Sequence, residues 1–180
     1  MNFSTQIRME NELVQLIPLG ENDFERLYEV ASDPAIWENH PNRNRYKREF
    51  FKNFFEGALQ SGGAYLVCNK SGKVIGGTRF YGYDASQNSI LIGYTFYATQ
   101  YWGKGYNHSV KKMMLDYIFQ YVSSVFFHVG AENFRSQSAM KKLGAEKLRK
   151  ISVAYHGEPE KLNFEYVIRC EDWQNERPNI

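Results

Sequence analysis

The chain has 180 residues, of which 43% are hydrophobic and 23% charged, which is ordinary for one globular domain with a sizeable core. A net charge of +2 argues against nucleic-acid and membrane partners, which favour a strongly basic face. Cys68 and Cys170 are too few and too far apart to indicate a disulfide framework or a thiolate metal site. Because the N-terminus lacks an apolar signal region and no run approaches the ~20 apolar residues of a membrane span, we expect a cytoplasmic protein.

The predicted elements follow the order βααβββαβαββ. Alternating polarity at 12–19 predicts the first strand, and apolar stripes predict helices at 24–31 and 46–59. The remaining strands are predicted at 64–68, 73–81, 89–97, 124–129, 146–155 and 161–169, and a short helix at 133–142. A longer helix is predicted from one apolar face: Val110, Met113, Met114, Tyr117, Ile118 and Tyr121. This order implies an α/β (α+β) fold, with a mixed sheet of about seven strands, helices on both faces and a central strand–helix–strand crossover.

The stretch from Ser89 to Val122 predicts a central strand, a glycine turn and a helix. The turn contains Gly103 and Gly105, which allow a ligand to approach the backbone, and Lys104, which supplies a positive charge. The first N–H groups of the helix lack partners, and the helix dipole adds roughly 0.3–1 kcal/mol of attraction for an anion. The turn therefore predicts a phosphate site; the alternative is a tight turn that only packs the helix on the sheet. Its glycine spacing matches neither the P-loop nor the dinucleotide fingerprint.

Residues 102–107, Trp-Gly-Lys-Gly-Tyr-Asn, resemble the acyl-CoA signature of the GNAT N-acetyltransferase superfamily, Gln/Arg-x-x-Gly-x-Gly/Ala. Trp102 replaces the Gln/Arg and Asn107 replaces the last Gly/Ala, and both replacements are familiar in the RimJ/RimL-like branch. Three further stretches are similar to this branch, in the right order and spacing: Asp33-Pro34 with Trp37, Ile75–Phe80 and Asn133–Ala145. The resemblance covers about residues 12–170.

The resemblance implies an acetyl-CoA-dependent N-acetyltransferase, formed by a single acyl-CoA N-acyltransferase domain over residues 1–180. It implies a GNAT-like, mostly antiparallel sheet whose central strands, 89–97 and 124–130, splay apart. A primary amine would attack the thioester directly in a ternary complex. We also expect a monomer or homodimer and no metal, since the histidines show no ligand spacing.

The same resemblance implies which residues bind the cofactor. The pyrophosphate would be held by the turn and the first helical residues: Gly103, Lys104, Gly105, Tyr106, Asn107 and His108. The pantetheine would pair with the strand backbone at Thr95, Phe96 and Tyr97, where one N–H would polarise the thioester carbonyl. Asn133 would contact pantetheine and the Ser136 hydroxyl would lie near the sulfur; alternatively, Asn133 is a helix N-cap and Ser136 is a solvated residue.

Two positions that often carry the catalytic acid and base in the superfamily hold Met140 and Leu91, which cannot transfer a proton. Ser136 or a water is then the candidate partner of the leaving thiolate, which it would stabilise by hydrogen bonding. His128 is the candidate base, acting through a water; the alternative is a strand histidine satisfied in the core. Two further candidate bases lie in the loop that enters the central strand: Tyr83 and Asp84.

The sequence does not identify the acceptor, but the missing carboxylate at Leu91 favours an amine of low pKa. At pH 7 a Lys-like amine is only ~0.04% neutral, whereas an α-amino group is roughly 10–20% neutral. We therefore expect a peptide N-terminus or an amino-acid-like small molecule as acceptor. Two alternatives remain: a catalytically weak acyl-CoA-binding module, and an acyltransferase that uses a longer acyl-CoA.

Overall fold

A computed structural model describes residues 3–175, so the predicted domain bounds, 1–180, extend beyond the described residues at both ends. The strands are β1 (Met9–Glu10), β2 (Val14–Pro18), β3 (Ala64–Asn69), β4 (Val74–Asp84), β5 (Ser89–Tyr97), β6 (Ser124–Gly130), β7 (Glu146–Val153) and β8 (Lys161–Arg169). The helices are α1 (Phe24–Ala31), α2 (Arg48–Gln60), α3 (Tyr106–Ile118), α4 (Phe134–Lys142) and α5 (Cys170–Asn175). None of these helices has the length and apolar composition needed to cross a lipid bilayer.

The strands form one sheet in the order β1-β2-β3-β4-β5-β6-β8-β7. Every neighbouring pair is antiparallel except β5 and β6, which are parallel and are connected by α3. The predicted mixed, mostly antiparallel sheet is confirmed, with eight strands, one more than predicted. The additional strand, β1, has two residues and is therefore too short to produce an alternating pattern. The short helix α5 was also missed.

Helices cover both faces of the sheet, as predicted, and each face has its own hydrophobic cluster. One cluster contains α3, whose buried residues are Val110, Lys111, Met114, Leu115 and Ile118. The other contains α1 and α2, including three buried phenylalanines: Phe51, Phe54 and Phe55. The predicted apolar face of α3 is wrong at Tyr121, which lies beyond the end of the helix and is 40% exposed.

Two irregularities of β5 open the middle of the sheet. Tyr94 has φ of 53°, a left-handed conformation that is uncommon outside glycine, and the register between β4 and β5 shifts between Gly77 and Arg79. Such a bulge bends a strand and increases its twist. The pairing of β5 with β6 covers only Ser89–Leu91 and Ser124–Phe126. Beyond these residues the two strands diverge, so the predicted splay is confirmed.

Candidate active site

A cleft of about 600 Å³ occupies the space between the diverging ends of β5 and β6. It extends from the glycine turn before α3 to the loop before α2. Every residue predicted to bind the cofactor lines this cleft except Lys104, whose side chain is exposed outside it, and the catalytic candidates Ser136 and His128 line it too. The fold therefore brings together residues that are scattered between positions 95 and 136 of the chain.

The glycine turn forms one end of the cleft. Gly103 and Gly105 have φ of 71° and 82°, in the left-handed region that favours glycine, and a Cβ on either would meet no atom within 4 Å. The first hydrogen bond of α3 runs from the Ser109 N–H to the Gly105 carbonyl at 3.0 Å. The N–H groups of the three preceding helical residues therefore lack intrahelical acceptors. This arrangement fits an anion such as a pyrophosphate.

Trp102 explains why this turn departs from the general signature. Its indole Nε1–H donates to the carbonyl of Tyr97 at 3.0 Å, which ties the turn to the end of β5. The guanidinium of Arg135 lies 3.5 Å from the centre of the indole ring, within the range of a cation–π contact. Trp102 thus holds the turn, the end of β5 and α4 against one another.

The first turn of α4 contributes two predicted residues to the cleft. Asn133 is the N-cap of α4, because its Oδ1 accepts a hydrogen bond from the N–H of Ser136 at 3.1 Å. This agrees with the alternative interpretation of Asn133 and leaves its amide nitrogen as the group that could donate to a ligand. Ser136 also lines the cleft, and the buried Met140 lies one turn further along the same wall.

His128 lies on β6 directly opposite Glu165 on β8. Its Nε2 is 3.2 Å from Oε2 of Glu165, whose Oε1 accepts from Nε of Arg149 at 2.8 Å. With the Nε2 proton assigned to this contact, Nδ1 is the free acceptor, and it is buried without a partner among the described residues. Burial lowers the pKa of His128 below its ordinary value, and Glu165 partly opposes the shift. The imidazole is therefore neutral at pH 7 and able to accept a proton.

The other two candidate bases are wrong. Asp84 is the last residue of β4, and hydrogen bonds from the Ser86 hydroxyl and the Gln87 N–H in the following turn lower its pKa. The ring of Tyr83 packs against Phe3, with ring centres 5.2 Å apart. Both residues precede β5, and the cleft opens at the other end of that strand. Sequence proximity to the central strand was therefore misleading.

Arg45 lines the opposite end of the cleft and belongs to a buried ion pair that the sequence did not reveal. Arg45 is 2% exposed, and its Nε and Nη2 lie 2.7 and 2.5 Å from the carboxylate oxygens of Glu158. Four aromatic rings lie within 6 Å of the guanidinium: Trp37, Phe54, Tyr94 and Tyr155. Arg45 follows a polar loop, where an arginine is normally solvated, so nothing in the local sequence indicates its burial.

A second buried cation, Lys111, lies on the wall formed by α3. Its side chain is buried, and its Nζ is 3.1 Å from the Thr78 hydroxyl and 2.5 Å from the Thr95 hydroxyl. Burial lowers the pKa of Lys111 to about 7. The spacing could have located it, because Met114, Leu115 and Ile118 follow at i+3, i+4 and i+7 on the same helix face.

A comparison with known protein families identifies the family of this chain. The profile of the acetyltransferase (GNAT) domain family matches residues 14–146, which is most of the chain. The chain therefore belongs to the GNAT acetyltransferase family, which places it among the acyltransferases.

Three solved structures show how closely the fold is shared. A GNAT-family protein from Chromobacterium violaceum has a TM-score of 0.81 at 16% identity, covering 94% of this chain and 89% of that chain. An acetyltransferase structure from T. thermophilus has a TM-score of 0.75 at 23% identity, covering 93% of this chain and 92% of that chain. The spermidine N-acetyltransferase from Vibrio cholerae, in complex with CoA and spermine, has a TM-score of 0.69 at 15% identity, covering 92% and 100%. At these identities the similarity establishes the fold.

Proposed function

We propose that this protein is an acetyl-CoA-dependent N-acetyltransferase of the RimJ/RimL-like kind. The observation that carries the proposal is the cleft between the splayed strands, which joins the free N–H groups of α3 to His128 and Ser136. The turn and first helical residues, 103–108, would hold the pyrophosphate. The unpaired inner edge of β5 at 95–97 would pair with pantetheine in the manner of an added strand.

In the proposed reaction a primary amine attacks the thioester within a ternary complex. The nitrogen forms a bond to the acetyl carbon, the C–S bond breaks, and the amine proton passes through a water to the imidazole of His128. Ser136 donates a hydrogen bond to the departing thiolate. An N–H of β5 beside the bulge at Tyr94 polarises the carbonyl. A neutral His128 held by Glu165 supports this division of roles.

His128→Ala and Ser136→Ala are expected to alter different kinetic properties. Wild-type activity should fall as the pH decreases through the pKa of His128, below 6.5, because protonation removes the base. His128→Ala should abolish this limb of the pH–rate profile. Ser136→Ala should lower kcat more than it raises KM for acetyl-CoA, because the thiolate forms only during reaction. Release of free thiol measures both, and unchanged profiles would leave the two residues without catalytic roles.

The composition of the cleft supports an acceptor amine of low pKa. Among the described residues that line it there is no Asp or Glu, whereas Arg45, Lys111 and Arg135 are present. A polyamine carries several ammonium groups and would meet no opposite charge here. We propose a peptide N-terminus or an amino-acid-like small molecule as acceptor, because its α-amino group is partly neutral at physiological pH.

Direct competition at pH 7 tests this choice of acceptor. One peptide has a free N-terminus and no lysine. The other differs from it only in having a blocked N-terminus and a single lysine. We expect acetylation of the free N-terminus to dominate, since its neutral fraction exceeds that of lysine by a few hundredfold, roughly. Mass spectrometry of the mixture measures the ratio. Preferential acetylation of the lysine peptide would show that the cleft deprotonates high-pKa amines.

Two alternatives follow from Leu91 and Met140, which replace residues that often transfer protons in the superfamily. A catalytically weak acyl-CoA-binding module would bind acetyl-CoA but release no thiol with any amine. An acyltransferase for longer chains would prefer propionyl- or succinyl-CoA over acetyl-CoA.

We propose that the protein is located in the cytoplasm and is a monomer or homodimer. The free Cys68 and Cys170 are compatible with a reducing compartment.

A further inference from the structure

Lys111 has no counter-charge among the described residues that surround it. Its Nζ contacts two hydroxyls, those of Thr78 on β4 and Thr95 on β5, which also contact each other at 2.8 Å. An ammonium group has three N–H donors, so one donor remains for a ligand. Lys111 lines the cleft, and none of the described residues that line it is acidic.

Burial of this side chain is costly in the absence of a ligand. Removing an ammonium from water without an opposite charge is among the least favourable burials in a protein. A lysine on an apolar helix face also violates the local pattern of α3, and such violations concentrate at functional sites. Two other ionisable groups line the cleft on α3 and β6, His108 and His128, and neither carries a negative charge. In the free protein the pKa of Lys111 falls to about 7 in response to burial, so its ammonium form is favoured where a ligand or the reaction supplies negative charge.

Thr95 connects Lys111 with the proposed position of the thioester. Its hydroxyl contacts Nζ, while its main chain begins the stretch of β5 proposed to pair with pantetheine. It also directly follows Tyr94, where the bulge changes the direction of the backbone groups. Lys111 and the stretch of β5 that is not paired with β6 therefore line the same part of the cleft.

We infer that Lys111 is a catalytic residue whose ammonium donates a hydrogen bond to the thioester carbonyl oxygen. This rests on the proposed function. When the amine attacks, the C=O electron pair moves onto oxygen, and the charge of Lys111 stabilises the resulting oxyanion. The pair returns as the C–S bond breaks, the amine proton goes to His128, and Lys111 keeps its own proton throughout. The developing negative charge is the counter-charge that the cleft wall lacks.

The C=O stretching vibration of bound acetyl-CoA tests this inference without an acceptor amine. Acetyl-CoA labelled with a heavy isotope at its acetyl carbonyl carbon is added to the protein at about pH 6, where Lys111 is mostly protonated because its pKa is about 7. A hydrogen bond from a cation weakens the C=O bond, so the infrared C=O stretching band of the bound thioester should lie at a lower frequency than that of free acetyl-CoA. In Lys111→Met it should return most of the way to the free value. Lys112→Met, which removes the exposed neighbour paired with Asp116, should leave the band unchanged.

Kinetics supply a second readout. Lys111→Met should lower kcat by about 10²–10³-fold, as the loss of an oxyanion donor does, with a smaller change in KM for acetyl-CoA. The variant should fold, because methionine replaces a buried charge by an apolar chain of similar length. If it does not fold, Thr95→Val keeps the charge and removes one of the two hydroxyls that hold Nζ. Its bound thioester should then give a C=O band between those of the wild-type complex and free acetyl-CoA.

The outcomes separate the inference from the proposed function. If the wild-type protein gives no bound-thioester band, acetyl-CoA does not bind and the proposed function fails. If acetyl-CoA binds and the bands of wild type and Lys111→Met coincide, the inference is overturned and Lys111 only supports the bulge. If the thioester bands differ as expected, Lys111 contacts the carbonyl.

Discussion

Glu158→Gln is expected to lower the free energy of unfolding by about 3–5 kcal/mol, because it leaves the buried charge of Arg45 without its partner. Both side chains are nearly inaccessible, at 2% and 8% exposure, and two of the nitrogens of Arg45 meet the carboxylate. Asn42 donates to the same carboxylate at 2.5 Å, so the substitution also disturbs the loop before α2. Surrounding aromatic rings attract the guanidinium but cannot neutralise it.

Denaturant unfolding of wild type and variant measures this loss, and an exposed ion pair of similar length is the matched control. Arg169 and Glu146 are 2.5 Å apart with 41% and 57% of their side chains exposed, so Glu146→Gln should cost far less than Glu158→Gln. Replacing both members of the buried pair, as Arg45→Met with Glu158→Leu, should restore much of the stability. Equal losses for the two single variants would show that the pair contributes no more than a surface contact.

The features that the sequence predicted are local ones. The turn at Gly103 and Gly105 was predictable because left-handed backbone favours glycine, and α3 because its apolar period is that of a helix. The divergence of β5 from β6 came from the family resemblance, since no residue in either strand encodes it by itself. Tyr94, the residue at the bulge, is an aromatic residue of the kind that ordinary strands favour.

The features that the sequence missed depend on contacts between distant segments. Arg45 and Glu158 are 113 residues apart, and each alone is an ordinary charged residue in a polar loop. The pairing of His128 with Glu165 depends on the register of β6 and β8, which the strand positions did not fix. Lys111 occupies a position of the apolar helix face, but a lysine is so rarely buried without a partner that the pattern was not extended to it.

The largest functional effect is expected from Gly105→Asp, which should abolish the stabilisation of the protein by acetyl-CoA. A ligand at 100 times its Kd raises the free energy of unfolding by about 2.7 kcal/mol, and the melting temperature rises accordingly. In the variant a carboxylate would lie at the positive end of α3, where it repels the pyrophosphate and takes its place. The space around Gly105 is open, and Asp tolerates the left-handed φ of 82° better than most side chains, so the protein should still fold.

Two control variants separate charge from backbone strain. Gly105→Asn has the same shape as Gly105→Asp without the charge, and both residues tolerate left-handed backbone better than other side chains. It should therefore retain part of the acetyl-CoA-dependent shift. Gly72→Asp places the same side chain in the turn before β4, at an identical φ of 82° and also in open space, and should retain the whole shift. A folded Gly105→Asp variant with an unchanged shift would mean that the pyrophosphate does not bind at the start of α3.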